Sequence, residues 1–306
     1  MTHSQQSNQT KIWVQAMRPR TLPLAIASII MGSALAAATE LFSWPVLILA
    51  VLTAVCLQIL SNLANDYGDS QHGADHVTRA GPSRAVQSGA ISPATMKRAI
   101  ALFAILSILS GLVLLWFAFG ANGIIFFAIF VLLGAAAIGA AITYTAGKNP
   151  YGYAGLGDIF VLIFFGWVGV MGTYFLQTQQ LDWLILLPAS SCGLLAVAVL
   201  NVNNIRDIDS DRLAGKNSIP VRIGPRKART YHWILLALAM VTAVTYVILT
   251  YASPWNFLFL LTLPLLWRHG TAVAHTTEPL KLNPLLKQLS LTTLLFVFLF
   301  SVGQLI

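Results

Sequence analysis

Nine apolar runs of about twenty residues recur along this 306-residue chain. They cover roughly 21–39, 44–64, 97–119, 122–145, 156–178, 183–203, 230–250, 255–274 and 288–305. A run of that length crosses the hydrocarbon core as a helix. Lipid admits only helices or closed barrels, because backbone N–H and C=O groups find no water there. Barrel strands alternate apolar and polar residues over about ten positions, and these runs do not. The expected fold is all-α: a polytopic bundle of nine transmembrane helices in one integral membrane domain, residues 1–306. At 57% hydrophobic and 9% charged residues, little chain remains for a soluble domain.

The net charge of +8 invites a search for nucleic acid or an acidic partner, but its distribution points elsewhere. With nine spans drawn, all 18 Lys and Arg fall on one side. They lie before the first span (Lys11, Arg18, Arg20), or around the loops after the second, fourth, sixth and eighth. The positive-inside rule then predicts a cytoplasmic N-terminus, cytoplasmic basic loops and an external C-terminus, in the inner membrane of a bacterial cell. The charge reports topology, and no nucleic-acid partner is expected. The basic start and the small residues Ser33–Ala38 also resemble a cleaved signal peptide. Cleavage would leave eight spans and break the charge pattern, so retention is expected. Cys56 and Cys192 fall inside spans and imply neither a disulfide framework nor a thiolate metal site.

Only ten residues are acidic, and five sit in two short segments at the ends of apolar runs. These are Asn65-Asp66-Tyr67-Gly68-Asp69 and Asn203-Asn204-Ile205-Arg206-Asp207-Ile208-Asp209-Ser210-Asp211. Carboxylates at a membrane margin are costly and are usually retained for function. On a helix, Asn65 and Asp69 share a face, as do Asp207 and Asp211. Oxygen-only donor pairs suit Mg²⁺, and two ions held this way need a phosphate-rich ligand to complete their shells. Helix capping and neutralisation of the basic loops stay open as alternatives, most of all for Asp209 between Arg206 and Arg212. The shared Asn-x-x-x-Asp spacing, 138 residues apart, suggests two four-helix halves plus a ninth helix, with a site between the halves.

Around the acidic pairs stand cations suited to a diphosphate, Arg84, Lys148, Arg206 and Lys216, with positive-inside loop decoration the alternative for each. Lys148 closes Tyr144-Thr145-Ala146-Gly147-Lys148 at the end of the fourth run. Other features allow two readings each. His72 and His76 are either solvated loop residues or a metal pair. Phe164-Phe165-Gly166-Trp167 either packs against helices and lipid or lines a greasy channel. Asp158 either caps the fifth helix or belongs to the site.

With these residues in place, the chain resembles the UbiA superfamily of intramembrane aromatic prenyltransferases over nearly its whole length. Asn65-Asp66-x-x-Asp69 and Asp207-x-x-x-Asp211 are similar to the family's two acidic signatures. Tyr144-x-x-x-Lys148 is similar to a third, and Arg84…Ser88-Gly89 to a stretch of the first inner loop. Arg18-Pro19-Arg20-Thr21-Leu22-Pro23, Asn65–Asp69 and Gly155-Leu156-Gly157-Asp158…Phe164-Phe165-Gly166 resemble the subgroup that prenylates 1,4-dihydroxy-2-naphthoate in menaquinone biosynthesis. The longer form of the first signature carries a further Asp where this chain has Gly73, with Asp75 nearest.

The resemblance implies a Mg²⁺-dependent transferase with Asn65, Asp66, Asp69, Asp207 and Asp211 as metal ligands. It implies Arg84, Lys148, Arg206 and Lys216 on the diphosphate, and Asp66, Asp69, Tyr144 and Lys148 as catalytic residues. Tyr144 would steady the allylic cation through its ring face. The substrates implied are a polyprenyl diphosphate and an aromatic acid, with the isoprenoid tail in a groove open to membrane lipid. Loss of diphosphate and CO₂ would yield demethylmenaquinone. Prenylation of another acceptor such as 4-hydroxybenzoate, and secondary transport, are the competing expectations. Tail length, oligomeric state and the residues that select the acceptor are not legible.

Overall fold

Each apolar run becomes one helix. The computed structural model describes residues 3–71, 81, 84–121 and 123–306. Among them are nine helices long and apolar enough to cross a membrane, and no strand. They are α1 (Gln9–Ala37), α2 (Trp44–Gln71), α3 (Pro93–Phe119), α4 (Ile124–Thr143), α5 (Gly157–Thr178), α6 (Trp183–Arg206), α7 (Ile219–Leu249), α8 (Pro254–His275) and α9 (Pro279–Leu305). The protein is an integral membrane helical bundle. His72, Asp75, His76 and Arg79 lie outside the described residues.

Local chemistry explains the boundaries. Ser92 caps α3 by accepting a hydrogen bond from the Thr95 N–H at 3.2 Å, and Pro93 occupies the first turn, where no N–H is needed. Near its start α7 is interrupted at Gly224 (φ 79°, ψ 166°), just before Pro225. The long apolar helix therefore begins beyond this break, close to the predicted start at 230.

Lipid is as apolar as leucine, so burial alone does not pull spans together; close packing does. Gly166 of α5 and Gly193 of α6 meet backbone to backbone. A Cβ on Gly166 would sit 2.6 Å from the Ala189 carbonyl oxygen. Met31, Leu195, Leu235, Phe259 and Phe296 fill the core that joins α1 with α6, α7, α8 and α9. At the end away from the acidic motifs, Phe119, Phe126, Phe130 and Phe175 cluster with centroids 5.0–6.1 Å apart. They join α3, α4 and α5. Helix α4 buries no residue, and its Phe130, Leu133, Gly134, Ala137 and Ala141 stripe lines a cavity.

One contact fixes the site end of the bundle. A Cβ on Gly68 would lie 2.5 Å from both the carbonyl carbon and Oγ1 of Thr145. Only glycine lets α2 lie this close to the turn after α4, and that approach brings Tyr144 beside the first acidic motif.

Candidate active site

The cavity, about 410 Å³, runs between α1, α2, α4, α5 and α6. Its polar end is lined by Asn65, Asp69, Arg84, Tyr144, Asn203 and Lys216, and its remaining walls are mainly apolar. Phe164 and Phe165 line it, which answers the question their stripe left open. Trp167 turns away and donates its indole N–H to Ser190 at 3.0 Å.

Helix α2 continues unbroken through Gln71, so Asn65 and Asp69 share a face as expected. Asp69 is the hub of the first motif. One carboxylate oxygen accepts the Tyr153 hydroxyl at 3.1 Å, and the other pairs with the Arg84 guanidinium. Asn65 accepts from the Thr145 hydroxyl at 3.1 Å. Asp66 faces elsewhere. Its two oxygens accept the backbone N–H groups of Ala85 and Val86, each at 3.0 Å. That pair of bonds fastens the Arg84–Gly89 segment and so delivers Arg84 to Asp69.

The second motif spans a bend. Helix α6 stops at Arg206, and a short helix, Ile208–Leu213, follows. The Asp211 N–H still donates to the Asp207 carbonyl at 2.8 Å, so the four-residue spacing survives the bend. Arg206 grips Asp207 with two bonds, Nε–Oδ1 at 2.8 Å and the guanidinium to Oδ2 at 2.6 Å. It also donates to Asn203 at 2.9 Å and to Asn283 of α9 at 2.8 Å. Arg206 thus staples α6 to α9, and it does not line the cavity.

Lys216 does line it. Its Nζ lies 3.6 Å from an Asp211 oxygen and 5.8 Å from the centre of the Tyr153 ring. Burial pulls its pKa down, but Asp211 and Asp69 together outweigh burial and hold it above the ordinary lysine value. Burial, with Asp69 adding to it, pushes the Tyr153 phenol up. Burial likewise raises Tyr144; Lys216 opposes that shift, and Asp158, Asp69 and Asp211 reinforce it. Each of these shifts favours the protonated form: an ammonium on Lys216 and neutral phenols on Tyr144 and Tyr153.

Lys148 departs from its expected place. Helix α4 ends at Thr143, and the chain then turns through Gly147 at φ +101°. The four-residue spacing from Tyr144 no longer means a common face, and Lys148 lies exposed, off the cavity. Asp209 is likewise solvent-facing: its side chain is 90% exposed, 3.7 Å from Arg212. Asp158 is buried and accepts the Tyr231 hydroxyl at 2.9 Å, tying α5 to α7.

Sequence inspection passed over an aromatic ladder. Tyr144 meets Tyr151 edge-on at 5.3 Å, Tyr151 stacks on Phe160 at 4.1 Å, and Phe160 on Phe164 at 6.2 Å. The signal was present, since three of the chain's eight tyrosines fall between 144 and 153. Tyr153, the donor to Asp69, is one of them.

A helical membrane protein whose apolar cavity carries a carboxylate, amides and fixed cations at one end is built for an amphiphile with an anionic head. The chain belongs to the UbiA prenyltransferase family, whose sequence pattern matches residues 25–286. It is 49% identical to a 1,4-dihydroxy-2-naphthoate octaprenyltransferase of Haemophilus influenzae, over 98% of this chain and 97% of that one. A protein of the same name from Escherichia coli is 48% identical over 96% of each chain. The fold also matches a solved UbiA homolog from Archaeoglobus fulgidus bound to GPP and Mg²⁺, with a TM-score of 0.60 at 16% identity. That match covers 96% of this chain and 99% of the other.

Proposed function

We propose that this protein transfers a polyprenyl group from polyprenyl diphosphate to 1,4-dihydroxy-2-naphthoate, releasing diphosphate and CO₂. The strongest support is one cavity whose polar head gathers Asn65 and Asp69 of the first motif, Asn203 of the second, and the cations Arg84 and Lys216 above an apolar groove. Its weight comes from near-complete alignment, at 49% identity, with a protein of that name.

Mg²⁺ is the cofactor this reading requires, and the donor chemistry fits it. The motif oxygens are carboxylates and amides, and the buried Oδ1 of Asn204 has no hydrogen-bond partner among the described residues. Mg²⁺ usually takes one or two carboxylates and completes its shell with phosphate and water. That habit suits a site where, among the described residues, no three carboxylate, histidine or cysteine side chains converge. Asn65, Asp69, Asn204 and Asp211 are the ligands we assign; Asp66 and Asp207 hold the Arg84 segment and Arg206. Bound Mg²⁺ supplies neutralisation of the charge that develops on the leaving diphosphate.

The chain's own residues do the rest. Arg84 and Lys216 contact phosphate oxygens and favour departure of the leaving group. The donor C–O bond breaks with its electron pair on the diphosphate, and the Tyr144 ring face steadies the allylic cation. A ring carbon of the acceptor supplies the pair for the new C–C bond. The resulting keto form holds its carboxylate β to a carbonyl, so CO₂ leaves and its bonding pair returns to the ring. Proton return to the ring oxygen gives demethylmenaquinol.

Purified protein incubated with Mg²⁺, a polyprenyl diphosphate and a panel of aromatic acids tests this. Prenylated naphthoquinol and CO₂ in equal amounts are expected, with turnover abolished by EDTA and restored by Mg²⁺. Turnover of 4-hydroxybenzoate in preference to the naphthoate would overturn the acceptor assignment. We also assign the cavity head to the cytoplasmic side of the inner membrane, from the one-sided basic residues. A C-terminal epitope should then be reached by antibody from outside intact spheroplasts. Access from the cytoplasm alone would reverse that orientation.

A further inference from the structure

Four cationic side chains line the cavity among the described residues: Arg84, Lys216, Arg18 and Arg20. The first two come with the acidic motifs and pair with Asp69 and Asp211. The other two come from a separate segment, the elbow Arg18-Pro19-Arg20-Thr21 inside α1, which separates the helix His3–Met17 from the apolar helix Leu22–Ala37.

That elbow is held firmly. Arg18 adopts left-handed backbone geometry (φ 51°, ψ 66°), which is rare outside glycine. The Thr21 N–H and hydroxyl both donate to the Arg18 carbonyl at 3.0 Å. Asn62, buried on α2, donates to the Met17 carbonyl at 2.8 Å and to the Thr21 hydroxyl at 3.0 Å. Gln58 adds a bond to the same hydroxyl at 3.3 Å. The elbow is therefore docked on the α2 face that carries Asn65 and Asp69, but nearer the middle of the span. At 1.5 Å per residue, its anchors Asn62 and Gln58 lie about 5–10 Å deeper than Asn65.

The reaction proposed above brings two different anions into one cavity. The diphosphate belongs with the motif oxygens. The acceptor's reacting carbon must reach the prenyl carbon that held the diphosphate, so the acceptor lies on the membrane side of the leaving group. Its carboxylate then falls at the depth of the elbow, whose Arg18 and Arg20 side chains line the cavity and carry planar forks that match a carboxylate. The flat ring meets the Tyr151–Phe160 stack, which borders the same cavity.

We propose that Arg18 and Arg20 form the subsite for the carboxylate of the aromatic acceptor, leaving Arg84 and Lys216 to the diphosphate. This rests on the prenyltransferase reading and assigns its acceptor-selecting residues.

The test compares wild type, Arg18→Gln, Arg20→Gln and Arg20→Lys, each as purified full-length protein with Mg²⁺ and one polyprenyl diphosphate. The acceptors are 1,4-dihydroxy-2-naphthoate and its carboxyl-free counterpart, 1,4-dihydroxynaphthalene. Charge-assisted hydrogen bonds of this kind predict a rise of about 10- to 100-fold in acceptor KM for the Gln variants. The acid's advantage over the diol should collapse, Arg20→Lys should recover part of it, and donor KM should move less than about threefold.

A raised donor KM with an unchanged acid-to-diol preference would hand these arginines to the diphosphate and overturn the proposal. The thermal midpoint in detergent and Mg²⁺-dependent donor binding identify a misfolded variant. Arg20, with ordinary backbone geometry, carries the test if Arg18 variants fail to fold. A wild type that uses another aromatic acid overturns only the naphthoate assignment, and the comparison is then made with that acid. A wild type that accepts carboxyl-free rings alone overturns the subsite as well.

Discussion

Asp69→Asn is expected to lower turnover by at least about a thousandfold while leaving the protein folded in the membrane. The side chain keeps its size and one oxygen, so the Tyr153 bond can persist. It loses the charge that holds Arg84. Removing one preorganised electrostatic group from a reacting centre costs on the order of 10²–10³ in rate, and under the proposed function Asp69 is both a Mg²⁺ ligand and the anchor of Arg84. Asp66→Asn makes the comparison informative, because Asp66 meets only the Ala85 and Val86 N–H groups in the bonds described above. Its effect should come through a loosened loop and be smaller. Turnover and Mg²⁺-dependent donor binding should fall together in Asp69→Asn, with the thermal midpoint nearly unchanged. Near-wild-type turnover would remove Asp69 from the metal site.

Lys216→Met should be nearly as severe, whereas Lys148→Ala should stay within about twofold of wild type. Lys216 is buried at the cavity head against Asp211, and Lys148 is exposed on a turn. Breaking a buried pair from one side also costs about 3–5 kcal/mol of stability, because it strands a carboxylate. Lys216→Arg is therefore the control for folding. Steady-state kinetics should show raised donor KM and lowered kcat for Lys216→Met, with acceptor KM little changed. An equal loss in Lys148→Ala would return the diphosphate role to the turn.

The sign of the lysine shift adds a pH expectation. A raised folded pKa means that the Lys216–Asp211 pair contributes fully below the ordinary lysine value and is lost only as pH climbs through the higher folded one.

How legible the site was depended on what each residue required. Asn65 and Asp69 sit on an unbroken helix, so spacing alone placed them on one face. Asp207 and Asp211 kept their spacing across a bend because the Asp211 N–H still reaches the Asp207 carbonyl. Lys148, expected on the diphosphate, lies off the cavity because α4 ends at Thr143 and the chain turns away through Gly147. Arg206 looked like a phosphate ligand beside its motif, yet Asp207, Asn203 and Asn283 draw on its guanidinium donors. Asn283 is 77 residues away, beyond any local pattern.

By itself the sequence determined nine membrane-spanning helices, the chemistry of the two acidic motifs and the distribution of every cation. These follow from hydropathy, residue type and charge, which are properties of short stretches of chain and of the solvent around them. Only the tertiary structure decided which motif oxygens face the cavity, that of the two expected lysines Lys216 lines it and Lys148 does not, that Tyr153 bonds Asp69, and that the Arg18–Thr21 elbow reaches the cavity wall. Those outcomes depend on loops folding back over helix ends and on close approaches such as Gly68 to Thr145. A side chain's partner there is set by backbones distant in sequence, and no spacing rule along the chain encodes it.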